Sequence, residues 1–333
     1  MAERTSIREF RRDPVAYLEA SFPARGDAFW LPGRQLCLAE PLLARAVLAD
    51  EAGRYHEHSD FFFTRRGLFG PRAAQVRIAR PSRPFLRDHL KARASRLESA
   101  VASLAPVSLW PDAGNWLVYH HLADALLAPE TPPTLRRTIE AVVARAVLAG
   151  ARDRYSALRH AFFRRRVERE LCREITRRRG LSRAEPVDLL DVIVAGAEPL
   201  ADPRDLAEVF LSFLFAIAGS VGFVFGWSLY LLGTQPPTAA PAAAVVHEAL
   251  RLWPVAWMLG RRPRDPHEVM GERVTPDDLV VVCPYLVHRH PRFWPEPTAF
   301  RPERWVSDSE DGSDPRAFLP FGWGPHACVA GSL

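Results

Sequence analysis

The sequence predicts a mainly α-helical fold: one large domain, residues 1–333, with minor β-sheet. Three observations predict it. Apolar residues recur at helical spacing over most of the chain, alternating runs are short and lie towards the two ends, and no linker divides the sequence. A chain of 333 residues can bury one large helical core. With 48% hydrophobic and 25% charged residues, the composition is that of a soluble globular protein. The formal charge of +5 is too slight to argue for nucleic acid. The basic residues are almost all arginine, with Lys91 the only lysine, which reads as coding bias rather than a phosphate-binding design.

DPVAYLEASF, residues 13–22, has helical spacing, with Val15, Leu18 and Phe22 on one face. WLPGRQLCLAE predicts strand, Pro-Gly turn and strand, and PLLARAVLAD a helix with proline at its first position. Residues 55–72 are irregular and rich in His, Phe and Arg. From about 85 to 180 the pattern is helical and arginine-studded. RHAFFRRRVERELCREITRRRG is expected to be a long basic helix with most charges solvated. EPVDLLDVIVAG predicts a short helix. ADPRDLAEVF starts another, with Asp202 as cap and Pro203 in its first turn. After the proline-rich break GTQPPTAAP, AAAVVHEALRLW is a helix halted by Pro254. ERVTPDDLVVVCPYLV predicts two short strands around a turn, and the tail from His288 is proline- and aromatic-rich loop.

Residues 209–232, VFLSFLFAIAGSVGFVFGWSLYLL, carry no charge. By hydropathy they are a transmembrane candidate, and equally a helix of about 36 Å through a large core. The start, MAERTSIREFRRDP, has no signal-peptide core. The four cysteines, Cys37, Cys172, Cys283 and Cys328, show no metal-ligand spacing, so free thiols in a reducing cytoplasm are expected.

Three stretches carry chemistry. In EALR, Glu248 and Arg251 share a helix face. Alone, the pair reads as an exposed ion pair, but its apolar neighbours Val245, Leu250 and Trp253 suggest burial. In FRPERW, Arg304 would complete a buried charged triad if it reached them. In FGWGPHAC, residues 321–328, Gly322 and Gly324 give the backbone freedom to approach a flat ligand and to aim N–H groups at the Cys328 sulfur. Such a sulfur is a candidate haem ligand, with Phe321 beside it; an inert buried thiol is the alternative.

In this order, E-x-x-R, P-E-R-W and F-G-x-G-x-H-x-C resemble the cytochrome P450 family. LRLWPVAWMLGRRP and VVVCPYLVHRHPRFWPEPTAFRPERW look like its bacterial members. The resemblance implies a P450-like helical domain, with the apolar run as an internal helix and no membrane anchor. It implies haem b, iron protoporphyrin IX, with Cys328 as the iron ligand. His326, Arg261 and Arg77 (or Arg80) would contact its propionates. It further implies oxygen-dependent monooxygenation of a small apolar molecule, such as a secondary metabolite, by a cytoplasmic monomer. Electrons would come from a ferredoxin and its reductase.

Two departures qualify this. The family's central helix carries a small-Gly-x-acid-Thr signature. Here the stretch is Ala218, Gly219, Ser220, Val221, Gly222. Without the acid and alcohol, proton delivery would fall to Ser220, to water beside Gly222 or to the substrate. Atypical haem-thiolate chemistry (peroxide use, rearrangement, coupling) or a non-catalytic helper role are the alternatives. Secondly, the family continues past the cysteine into a helix. With Leu333 the last residue, a chain short of that helix is expected.

Overall fold

A computed structural model describes residues 2–56, 72–105, 107–148, 157–181, 185–306 and 312–328. Most of the irregular stretch expected at 55–72 lies outside them, as do residues 329–333. In chain order the elements are α1 (Ala2–Arg12), α2 (Pro14–Arg25), β1 (Ala28–Leu31), β2 (Gln35–Leu38), α3 (Pro41–Ala49), β3 (Tyr55–His56) and α4 (Arg72–Ala92). There follow α5 (Leu97–Ala102), α6 (Asp112–Leu126), α7 (Pro133–Val142), α8 (Ala157–Arg179), α9 (Leu189–Gly196), α10 (Pro203–Leu214), α11 (Gly222–Thr234) and α12 (Ala242–Leu252). The chain continues through β4 (Leu259–Pro263), β5 (His267–Val269), β6 (Glu272–Val274), β7 (Leu279–Val282) and α13 (Pro284–Val287). The expected mainly helical fold with small sheets is what is observed.

The chain groups into two compact units, Met1–Phe61 with Ser228–Ser332, and Phe62–Trp227. The first is mixed. Its five-stranded sheet runs β1-β2-β7-β4-β3, with β2 and β7 parallel in the register Leu36↔Val280 and Leu38↔Val282. Those four side chains are fully buried, which accounts for the near-continuous apolar text of both strands. The two strands expected in ERVTPDDLVVV exist but do not pair with each other. The first, β6, forms a hairpin with β5, and the second, β7, joins the large sheet. Asp278 separates them, accepting from Thr275 N (2.8 Å) and Arg34 Nε (2.8 Å). The strand β4 in LGRRP was not read from the sequence; its pattern is too short to stand out.

The second unit is helical. Its core gathers Leu126, Ile139, Leu171, Ile175, Leu190, Ile193, Phe210 and Leu214, contributed by α6 to α10. The predicted start of α10 is observed: Asp202 accepts from Arg204 N at 2.9 Å and Pro203 opens the helix. From Phe215 to Val221 the helix widens into a π turn before α11 begins. The run Pro203–Thr234 is long and apolar enough to cross a membrane by length and composition.

Candidate functional site

The α12 helix places Glu248 and Arg251 three residues apart, both fully buried. Arg251 grips the carboxylate bidentately, Nε to Oε2 at 2.9 Å and Nη2 to Oε1 at 2.7 Å. Arg304 Nε donates to Oε1 at 3.2 Å, so the expected partner arrives, and it does so on Glu248. Two further donors were not foreseen: Arg301 N to Oε1 at 2.9 Å and Trp305 Nε1 to Oε2 at 2.8 Å. Glu248 is the hub. Arg251 spends its remaining N–H groups on the carbonyls of His288, Pro297 and Ala299. Removing one partner of such a centre costs about 3–5 kcal/mol, because a buried charge is left unpaired.

His288 links this centre to the cysteine loop. Burial, and then the neighbouring Arg251 charge, push its pKa down to about 3, so the imidazole is neutral. Its Nε2 accepts from Leu319 N at 2.8 Å. Just beyond, Gly322 and Gly324 both sit at φ +71, a region closed to most residues. Gly324 also rests on α3: an added Cβ would lie 2.7 Å from Ala49 Cα. The Arg45 guanidinium lies 3.9 Å from the Trp323 ring centroid. A 3₁₀ turn, Gly324–His326, then leads to Cys328, whose N–H donates to Phe321 O at 2.7 Å. The Cys328 thiol is free and exposed, beside the half-exposed rings of Phe321 and Trp323. The His326 side chain lies outside the described residues. Strand β4 runs beside the loop, since an added Cβ at Gly322 would lie 3.7 Å from Leu259 Cδ1. Two residues along β4, on the same strand face, buried Arg261 donates Nη1 to Gly260 O at 2.9 Å.

In the helical unit, Ala218 to Val221 lie on the π turn and Gly222 opens α11. Ala218 is fully buried, while Val221 is 51% exposed. The side-chain direction of Gly222, where water was one expected proton source, is filled by packing. A Cβ there would fall 2.7 Å from Asn115 Cα and 2.9 Å from Asn115 N, so the backbone of α6 fills the space. Asn115 also donates Nδ2 to Ala218 O at 2.9 Å, and its buried Oδ1 has no partner among the described residues. Sequence reasoning missed Asn115; the glycines at 222 and 226, one helical turn apart, were the available signal.

The family model of cytochrome P450 matches residues 242–331, the segment holding Glu248, Arg251, Arg304 and Cys328. The fold matches retinoic acid-bound cyanobacterial CYP120A1 with a TM-score of 0.75 at 19% identity, covering 95% of this chain and 83% of that one. The likeness is to cytochrome P450s, in the family model over residues 242–331 and in the fold over nearly the whole chain. A second P450 structure, CYP175A1 from Thermus thermophilus, matches with a TM-score of 0.65 at 22% identity, over 98% of this chain and 85% of that one. Among curated relatives, mouse cytochrome P450 4V2 is 30% identical over 152 residues, 38% of this chain and 29% of the relative's length. The sequence alignment therefore spans under a third of that relative.

Of the other site residues expected from the P450 resemblance, Arg77 is exposed on α4, and its guanidinium is paired with Glu198 Oε1 at 2.7 Å. Arg80 is exposed on the same helix. Phe215 packs against the helical cluster, Phe223 lies edge-on to Trp227 at 6.0 Å, and Trp257 packs against the cluster that includes Leu18, Phe29 and Tyr285. The P450 cofactor suits the cysteine loop. The exposed Cys328 thiol ends a glycine-shaped strap that also carries the half-exposed Phe321 and Trp323. An exposed cysteine sulfur on such a strap is chemically able to ligate a metal already held by a porphyrin.

Proposed function

We propose that the chain is a haem-thiolate oxidoreductase, a monooxygenase acting on a small apolar molecule. The observation that carries this is the fixed, exposed Cys328 on a loop tied through Leu319 and His288 to the buried Glu248–Arg251 centre. Haem, when bound, would supply a redox-active iron that a thiolate ligand makes electron-rich. Cys328 Sγ would give up its proton to ligate it. Gly322 and Gly324 keep the strap low, Phe321 offers a flat apolar face, and Arg261 supplies a cation on the adjacent strand for a propionate, with His326 as a second contact. Arg77 would have to exchange Glu198 for a propionate to join them. The retinoic acid in the CYP120A1 structure supports an apolar substrate class.

Further parts of this reading are that the chain works as a single domain and a monomer, with haem b, in the cytoplasm. Electrons would come from a ferredoxin-type donor whose acidic surface complements the net positive charge. Ala218 to Gly222 are assigned to the oxygen-site helix.

A second reading, atypical haem-thiolate chemistry or a helper role, is favoured by one observation. The position where the family carries its alcohol is a glycine whose side-chain direction is filled by Asn115. Ser220 is left as the hydroxyl of that stretch for proton delivery. Haem stoichiometry of the purified protein, followed by turnover with a ferredoxin and reductase, tests the two. One haem per chain with reductant-dependent product supports the monooxygenase. Stoichiometric haem with turnover on peroxide alone supports atypical chemistry, and no haem supports the helper.

A further inference from the structure

Within the helical unit, a cleft of about 350 Å³ opens among the end of α4, α5 and the first turns of α6. It plays no part in the proposed oxidation. Its lining divides by chemistry. Leu104 and Leu117 give an apolar floor, and the Trp116 indole forms a wall with the His120 imidazole stacked on it, centroids 5.2 Å apart and planes at 14°. Two guanidinium groups edge it. Arg93 is held by Asp124, Nη2 to Oδ2 at 2.9 Å, and Asp124 is shared with Arg136 at 2.9 Å, so the carboxylate is already saturated with cations. Arg96 is exposed and forms no ion pair among the described residues. His121 completes the rim; burial and then Arg93 push its pKa down, leaving a neutral imidazole that can donate or accept.

An apolar floor, an aromatic wall and one or two convergent cations are the elements of a small-molecule site, and the volume lies in the usual range. A cavity of roughly 150 Å³ holds one benzene ring, so this one has room for about two fused rings with an acidic substituent. A guanidinium fork matches a carboxylate or phosphate, and an indole face favours a flat ring.

We propose that this cleft binds a small aromatic anion, its ring against Trp116 and its carboxylate or phosphate on Arg96 and Arg93. The full chain is titrated calorimetrically with 1-naphthoate, with 1-naphthyl phosphate and with neutral 1-naphthalenemethanol, while the haem absorption band is followed in parallel. Saturable one-to-one binding of an acid is expected, at least tenfold tighter than the alcohol and without change in the haem band. Whichever acid binds more tightly identifies the anionic group. Arg96→Gln, on an exposed side chain, should weaken the acid at least tenfold and leave the alcohol unchanged, and Trp116→Ala should weaken both. A control on another helix, Arg137→Gln, should bind as the parent does. Equal affinity for acid and alcohol, undiminished binding in Arg96→Gln, or binding that shifts the haem band and survives Arg96→Gln would overturn the proposal. If Trp116→Ala fails to fold, Arg96→Gln and the neutral analogue still decide it.

Discussion

Each compact unit holds a buried ionic centre built around an arginine, Arg251 in one and Arg178 in the other, and only the first was legible. Arg251 is fixed by Glu248, with Arg304 and Trp305 closing on the same carboxylate. Arg178, near the end of α8, is 2% exposed and answers three carboxylates: Glu174 at 2.7 Å, Asp191 at 2.8 Å, and Asp188. Its fourth partner is Thr131 Oγ1 at 2.8 Å. The geometry is inverted. In one unit a single carboxylate gathers two cations; in the other a single cation gathers three carboxylates. Both hold loops against helices, since Arg251 grips the carbonyls of His288 and Pro297 while Asp188 caps α9 and accepts from Ala128 N at 2.7 Å. Burial opposes the Arg178 charge, yet the hydrogen bonds and charges of Asp188 and Glu174 outweigh it and raise its pKa.

The comparison can be broken by substitution. Glu248→Ala, which strands Arg251 and Arg304 together, should cost the most, about 3–5 kcal/mol of stability measured by denaturant unfolding. Arg178→Met should fall close behind at about 3 kcal/mol, since three carboxylates lose one cation while Glu174 keeps Arg177 at 2.7 Å. A loss under about 1 kcal/mol there would mean that the helical unit does not depend on its centre. Gly222→Thr, which restores an alcohol at the family position, should cost up to about 3 kcal/mol because its Cβ meets the Asn115 backbone.

His288 gives the first centre a pH dependence on the acid side of neutrality. Its folded pKa of about 3 lies below the unfolded value of about 6.5, so the stability it contributes is present above pH 6.5 and lost as pH falls towards 3. Between pH 7 and 5 the loss is about 2 kcal/mol at 1.36 kcal/mol per unit, and His288→Gln should flatten it in a pH series of thermal melts. The smallest effect is Trp305→Phe, about 1 kcal/mol for one hydrogen bond to Glu248 with the ring packing kept.

The reason for the difference in legibility is physical. Glu248, Arg251 and Arg304 stand in short motifs whose order and spacing survive as text. Arg178 sits in an arginine-rich helix where charge alone suggests solvent. The stripe Val167, Leu171, Ile175 continues at helical spacing into Glu174 and Arg178, and that continuation was the signal. The elements themselves were largely readable, down to Pro203 and Asp202 at the start of α10, because caps and prolines act locally. The pairing of β6 and β7 with different strands, and the closure of α6 on Gly222, depend on partners far along the chain, which no local pattern reveals.

The assignment of Cys328 as the haem ligand is tested most directly by the absorption spectrum of the reduced, carbon monoxide-bound protein beside that of Cys328→Ser. The parent should show the strongly red-shifted Soret band of a thiolate-ligated haem, and the variant should lose it while keeping its fold by circular dichroism. A parent without that band, or a variant that retains it, would contradict the assignment.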